Sequence, residues 1–303
     1  MKKILVIGSL NLDIVAHMDH IPVTGETVIA RYGGQFQGGK GANQACAIAK
    51  LGGDVEMLGM VGTDAAGDFL LQGLTDSGVR IERIRRVPRV PTGQAWIALN
   101  KQGDNAIIVL PGANACVDVA YLDAMRDAIE DADIVVMQLE IPLKTVCYAA
   151  RLAKSLGKTV ILDPAPAVPD LPDTLLADMD FIKPNESELE ILTGCTPADY
   201  AGGAEQLLAR GAKHIIVSLG AEGVYCHPSG QAPFHRPARR VAAVDTTAAG
   251  DSFLAAFTLR LAAGDDVEKA IAFAQKVASI VVTRPGAQSS IPHADEVTGL
   301  MGE

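Results

Sequence analysis

The 303 residues are 49% hydrophobic and 20% charged, which is the profile of a globular chain long enough to bury a sizeable core. A net charge of −10 repels polyphosphate backbones and argues against a nucleic-acid partner. It does not exclude a nucleotide, because backbone amides at a helix start hold phosphate whatever the bulk charge.

From the amino terminus, ILVIG (4–8) reads as a short buried strand. Its apolar run stops at Ser9, with Asn11 and Asp13 close behind, so no signal-peptide core forms. Residues 11–37 lack helical period and are rich in Gly, Thr and alternating apolar positions. The run Gly38-Gly39-Lys40-Gly41-Ala42-Asn43-Gln44-Ala45 comes next. With Gly34 it has the G-x4-G-K spacing of a P-loop, but Gly41 stands where a P-loop needs Ser or Thr, so that reading is rejected. VEMLGMVG (55–62) is the next strand.

Residues 91–110 return to the β-type pattern, with QAWIALN, KQGD and NAIIVL reading as a hairpin around a Gly-containing turn. IVVMQLE (134–140), TVILDPAP (159–166), FIKPN (181–185) and HIIVSLG (214–220) complete the strands. Between two of them, Leu143–Leu156 carries apolar residues at helical spacing. This alternation predicts an α/β fold: a Rossmann-like, mostly parallel sheet with helices on both faces, built from 1–10, 38–90 and 111–303. Segments 11–37 and 91–110 are expected to pair into a small β-sheet lid over the carboxyl edge of that sheet, where open α/β folds place ligands. No apolar stretch approaches the ~20 residues of a membrane span. The five cysteines (Cys46, Cys116, Cys147, Cys195, Cys226) lack metal or redox spacing, which points to reduced thiols in a cytoplasmic protein.

Val244-Asp245-Thr246-Thr247-Ala248-Ala249-Gly250-Asp251-Ser252-Phe253 carries the most chemistry. Small residues lead directly into a helix, so the N–H groups of Ala248, Ala249, Gly250 and Asp251 are expected to be unpaired and aimed at an anion. Asp251, in the same turn, is placed to take a proton from an attacking hydroxyl. The competing reading makes Asp251 an ordinary helix cap.

D-T-x-x-A-G-D at 245–251 and GGKGANQA at 38–45 resemble the two signatures of the ribokinase-type carbohydrate kinase family. The likeness runs from GSLNLD (8–13) to RPGAQSS (284–290). It implies ATP-dependent phosphorylation of the primary hydroxyl of D-ribose, with Asp251 as base and the backbone at Ala248, Ala249, Gly250 and Asp251 as anion hole. The neighbouring alternatives are 2-deoxyribose, another sugar or a nucleoside; a non-catalytic sugar-binding regulator is a remote one.

The resemblance assigns Asn11, Asp13, Gly39, Lys40, Asn43, Glu140 and Asp251 to the sugar. It assigns Asn185, Ser218, Gly220, Gly223, Gly250 and Gln275 to the nucleotide. Glu188, three residues after Asn185, would hold Mg²⁺ through water, and Asp245, Thr247, Val281, Arg284, Gly286 and Ser290 would hold K⁺. It also implies a homodimer joined through the lid sheets, with the sugar and ATP as the small-molecule partners and neither nucleic acid nor membrane.

Overall fold

The computed structural model describes residues 2–299, among which fourteen strands form three sheets. In chain order the strands are β1 (Ile4–Ile7), β2 (Asn11–His17), β3 (Tyr32–Gly38), β4 (Val55–Leu58), β5 (Met60–Gly62), β6 (Arg85–Val87) and β7 (Gly93–Leu99). There follow β8 (Asn105–Leu110), β9 (Ile134–Gln138), β10 (Thr159–Asp163), β11 (Phe181–Ile182), β12 (His214–Ser218), β13 (Val224–Pro228) and β14 (Phe234–Arg236).

The main sheet runs β14-β13-β12-β11-β10-β9-β1-β4, parallel from β4 to β12 and antiparallel at the β13 and β14 edge. Every residue of β1 and β9 is buried, as expected of central parallel strands covered on both faces. Because side chains alternate along a strand, Ile4 and Val6 enter one core and Leu5 and Ile7 the other. The first core packs against the helices Lys40–Lys50, Ala249–Ala262 and Val267–Val281, and the second against Leu143–Ser155 and its neighbours.

The stretch 55–62, expected as one strand, is two. It breaks at Gly59, where a Cβ would lie 2.6 Å from Leu10 Cδ1 and 2.8 Å from Gly8 O. Past this close approach, β5 leaves the main sheet and pairs with β6.

A separate four-stranded sheet runs β3-β2-β7-β8. The hairpin β7–β8 is present, and β2 pairs antiparallel with β3 but parallel with β7. Trp96, Phe36 and Ile108 leave apolar surface exposed on this sheet. None of the helices among the described residues is long and apolar enough to cross a membrane.

Parallel order sends the carboxyl ends of β1, β9, β10, β11 and β12 to one edge. Ser9 and Asn11 follow β1, Glu140 follows β9, Asp163 ends β10, Lys183 and Asn185 follow β11, and Ser218 ends β12. Residues up to 209 positions apart in sequence, Ser9 and Ser218, thereby meet on one rim.

Candidate active site

Asp251 lies buried in the first turn of the helix Ala249–Ala262. The cap position belongs to Ala248, and no side chain caps this helix, so the capping reading of Asp251 is excluded. Its carboxylate instead accepts from Asn43 Nδ2 at 2.9 Å and from Gln44 Nε2 at 3.1 Å. Both donors stand on the helix Lys40–Lys50, whose start is pressed against the β1–β2 connection. Gly39 makes that contact possible: its φ is 91°, and a Cβ there would sit 2.6 Å from Asn11 N.

The expectation of four unpaired amides is corrected at one position. Ala249 N–H donates to Thr246 C=O at 3.2 Å, closing a tight turn in which Ala248 takes a left-handed φ of 58°. Among the described residues, the amides of Ala248, Gly250 and Asp251 have no acceptor. Three donors and the helix dipole therefore converge on one spot beside a carboxylate.

The polar residues expected to face a sugar form a cluster linked to Asp251. Glu140 accepts from Lys40 N–H at 3.1 Å, from Asn11 Nδ2 at 3.4 Å and from the Ser9 hydroxyl. The Asp13 carboxyl fills the space that a side chain on Gly38 would need. Burial, then the charges of Glu140 and Asp251, push Asp13 up to about 7. For Lys40, burial alone would lower the pKa, but Asp251, Asp163, Glu140 and Glu188 outweigh it and hold the ammonium above its ordinary value.

Next to this cluster opens a cleft of about 870 Å³, a volume suited to a nucleotide-sized ligand. Lys40, Asn185, Glu188, Ser218, Gly220, Gly223, Gln275 and the 248–251 turn all line it. Asn185 and Glu188 form a reciprocal capping box: Glu188 N–H donates to Asn185 Oδ1 at 2.7 Å, and Asn185 N–H to Glu188 Oε2 at 2.8 Å. Burial and the neighbouring Asp163 raise the Glu188 pKa.

Gln275 lines the cleft and also supports its wall. Its amide donates to Arg236 C=O at 3.0 Å and Pro237 C=O at 3.2 Å, bracing the loop that walls the cleft. Gly223 packs under the same loop, where a Cβ would lie 2.6 Å from Ala238 N.

Beside the anion turn, Asp245 accepts from Thr247 N–H at 2.9 Å, from the Thr247 hydroxyl at 2.6 Å and from Gly286 N–H at 2.8 Å. Burial would raise its pKa, but these hydrogen bonds outweigh burial and hold it below the ordinary value. Val281 C=O accepts from Arg284 N–H at 3.0 Å, the Arg284 side chain pairs with Glu296 at 2.6 Å, and the buried Ser290 hydroxyl donates to Ala287 C=O at 2.7 Å. Asp245, Thr247 and Gly286 thus meet directly, while Ser290 is tied locally.

Several residues of this site were not singled out from sequence. Gln44 donates from one nitrogen to both Asp251 and Asp163, the latter at 3.0 Å, and accepts from Gln138 at 2.6 Å. Asn114 holds Leu10 and Asn11 through three hydrogen bonds of 2.7–3.1 Å. Asp163 and Lys183 line the cleft opposite Gly250. The signal for these two lay in the polar residues that end two apolar strands, LDPAP and IKPN.

The model of the pfkB family of carbohydrate kinases matches residues 1–294. A ribokinase of Schizosaccharomyces pombe is 39% identical, covering 99% of this chain and 98% of that protein. A deoxyribokinase of Salmonella typhi is 37% identical, covering 97% of this chain and 96% of that protein. Among solved structures, Arabidopsis thaliana ribokinase complexed with ribose and ATP superposes with a TM-score of 0.93 at 34% identity, covering 100% of this chain and 99% of that one. Ribokinase from Thermotoga maritima gives a TM-score of 0.89 at 38% identity, with both chains fully covered.

Proposed function

The chain belongs to the pfkB family of carbohydrate kinases, and from that premise we propose that it phosphorylates the primary hydroxyl of D-ribose with ATP, giving ribose 5-phosphate and ADP. The observation that carries this is the Asp251 carboxylate, freed from helix capping, held by Asn43 and Gln44, and set beside three unpaired amides.

In this reading Asp251 accepts the hydroxyl proton as the sugar oxygen bonds to the γ-phosphorus. The bond from that phosphorus to the β,γ-bridging oxygen breaks, and ADP leaves with the electron pair. The amides of Ala248, Gly250 and Asp251 donate to the phosphoryl oxygens, where charge is spread in the transition state. Asn11, Asp13, Lys40, Asn43 and Glu140 supply both donors and acceptors, which suits a ligand whose every hydroxyl is both.

Magnesium fits the donor set. The described residues contain no group of three or more His, Cys, Asp or Glu side chains able to cage a metal. Mg²⁺ needs no such cage, because it is held through one or two carboxylates, waters and nucleotide phosphates. Glu188, in the cleft, is the carboxylate assigned to its water shell, with Asn185 assigned to the phosphates. When bound, the ion would neutralise phosphate charge. The Asp245 loop, with Thr247 and Gly286 gathered on it and Val281, Arg284 and Ser290 assigned with them, is proposed to hold K⁺ and so to steady the neighbouring anion turn.

The four-stranded sheet is proposed as a lid that excludes water during transfer, over a core made of the remaining segments. Its exposed apolar face, including Trp96 and Ile108, supports a homodimer in which two lids cover one another.

Relatives acting on ribose and on deoxyribose stand at near-equal identity, so 2-deoxyribose is the second reading. ADP release against a panel of pentoses, hexoses and nucleosides tests the choice. Ribose should be preferred, because a site that pairs the 2-hydroxyl discriminates against a sugar lacking it. Equal turnover of 2-deoxyribose would favour the second reading, and turnover of a nucleoside alone would overturn both.

A further inference from the structure

Lys183 is 4% exposed and lines the nucleotide cleft. Among the described residues, the one carboxylate within ion-pair reach is Asp163, at 3.6 Å, which is beyond hydrogen-bond length. By contrast, Lys154 and Lys213 close on Asp180, at 2.7 and 2.9 Å. At Lys183 the gap stays open, and the facing oxygen, Asp163 Oδ1, has no hydrogen-bond partner. Among the described residues Lys183 Nζ has no hydrogen-bond partner, so its three N–H donors are free to meet a ligand in the cleft.

The ammonium lies close to the anion turn. A Cβ placed on Gly250 would meet Lys183 Nζ at 3.3 Å, so the ammonium stands directly against the backbone whose amides are unpaired. Asp251, Asp163 and Glu188 bring negative charge to this rim, and Lys40, Arg239 and Arg240 also line the cleft. An incoming polyphosphate needs local positive charge to enter it, and Lys183 supplies that charge at the point where the amides converge.

We propose that Lys183 is a further catalytic residue, whose ammonium binds the terminal phosphate of the nucleotide and stays with it as it passes to the acceptor oxygen. Asp163 is its positioning residue, held in turn by Gln44. Lys183 keeps its proton throughout: the hydroxyl proton goes to Asp251, the new oxygen–phosphorus bond forms, and the departing ADP takes the electrons of the old one. The proposal rests on the phosphoryl-transfer reading above.

The test compares the affinities of the parent, K183M and the double variant D163N/K183M for ADP and for the non-hydrolysable β,γ-imido analogue of ATP, all with Mg²⁺. K183M should weaken the ATP analogue about ten-fold or more and ADP less than about three-fold, since only the former carries the contacted phosphate. Its turnover should fall about 100-fold, in the range for losing one preorganised donor to the transition state. D163N/K183M, neutral at both positions and still able to accept from Gln44, should remain as impaired as K183M. It also carries the test should K183M fold poorly with Asp163 left unpaired. Recovery in the double variant, or equal weakening of both nucleotides, would reduce Lys183 to a counter-ion and overturn the proposal. If the parent binds the ATP analogue but phosphorylates no sugar, the functional reading fails while the affinity comparison still judges Lys183.

Discussion

Asn43 donates its side-chain amide to the Asp251 carboxylate at 2.9 Å, joining the starts of two helices 208 positions apart. The Asn43 carbonyl is committed too, accepting from Gln288 Nε2 at 3.2 Å, so the amide cannot flip without losing both bonds. Asn43→Ala should therefore both loosen the carboxylate and remove a donor proposed to meet the sugar. The expected outcome is a fall in kcat/KM for the sugar of about 100-fold, with ATP affinity close to the parent's. Steady-state kinetics with each substrate varied in turn will separate the two.

Gln44 serves two carboxylates at once, Asp163 and Asp251, and all three side chains are buried. Gln44→Leu leaves both acids without this donor and should destabilise the fold by about 2–4 kcal/mol. Gln44→Glu, which adds a third carboxylate to the cluster, should cost more at pH 8 than at pH 6. Denaturant midpoints at the two pH values measure this, and identical midpoints for parent and Gln44→Leu would remove Gln44 from its supporting role.

Asp13 titrates in a window set by its neighbours. Burial first, then Glu140 and Asp251, raise it from the ordinary 3.8 to about 7. Between those values the folded chain keeps a proton that the unfolded chain has lost, so this residue's contribution to stability falls as pH rises through the window. The penalty is complete above about pH 7. Asp13→Asn should accordingly raise Tm by a few degrees at pH 8 and make little difference near pH 4, on the order of 2 kcal/mol at its largest. A pH series of melting curves gives the answer directly.

Asp245→Ala removes the acceptor for Thr247 N–H, the Thr247 hydroxyl and Gly286 N–H. The parent should be activated by K⁺ over a bulky organic cation at equal ionic strength, and the variant should be slow and indifferent to the cation. A variant still activated by K⁺ would take Asp245 out of the cation site.

The fold was legible where hydrophobic pattern and length sufficed. The apolar runs of β1 and β9 read as buried strands, and the Gly-interrupted segments around Asn11 and Trp96 as a separate sheet, and the structure has both. The anion turn was legible because small residues before a helix have few other uses. What stayed hidden depended on tertiary placement. Asp163, Lys183, Gln44 and Asn114 belong to separate elements and acquire meaning only when sheet order brings their ends together. The use of Ala249 N–H within the turn follows from the left-handed Ala248, a conformation that an alanine does not announce. That Gln275, in the cleft lining, also braces the loop through the carbonyls of Arg236 and Pro237 is likewise invisible in the sequence.

The central claim is that Asp251 takes the proton of the attacking hydroxyl. Asp251→Asn is nearly isosteric and keeps the 248–251 backbone, so single-turnover formation of phosphorylated sugar can be compared with ATP affinity in the same preparation. The rate should fall by about 10³-fold or more, at the strong end of what a positioned base contributes, with ATP affinity changed less than about three-fold. A rate within ten-fold of the parent's would contradict the claim.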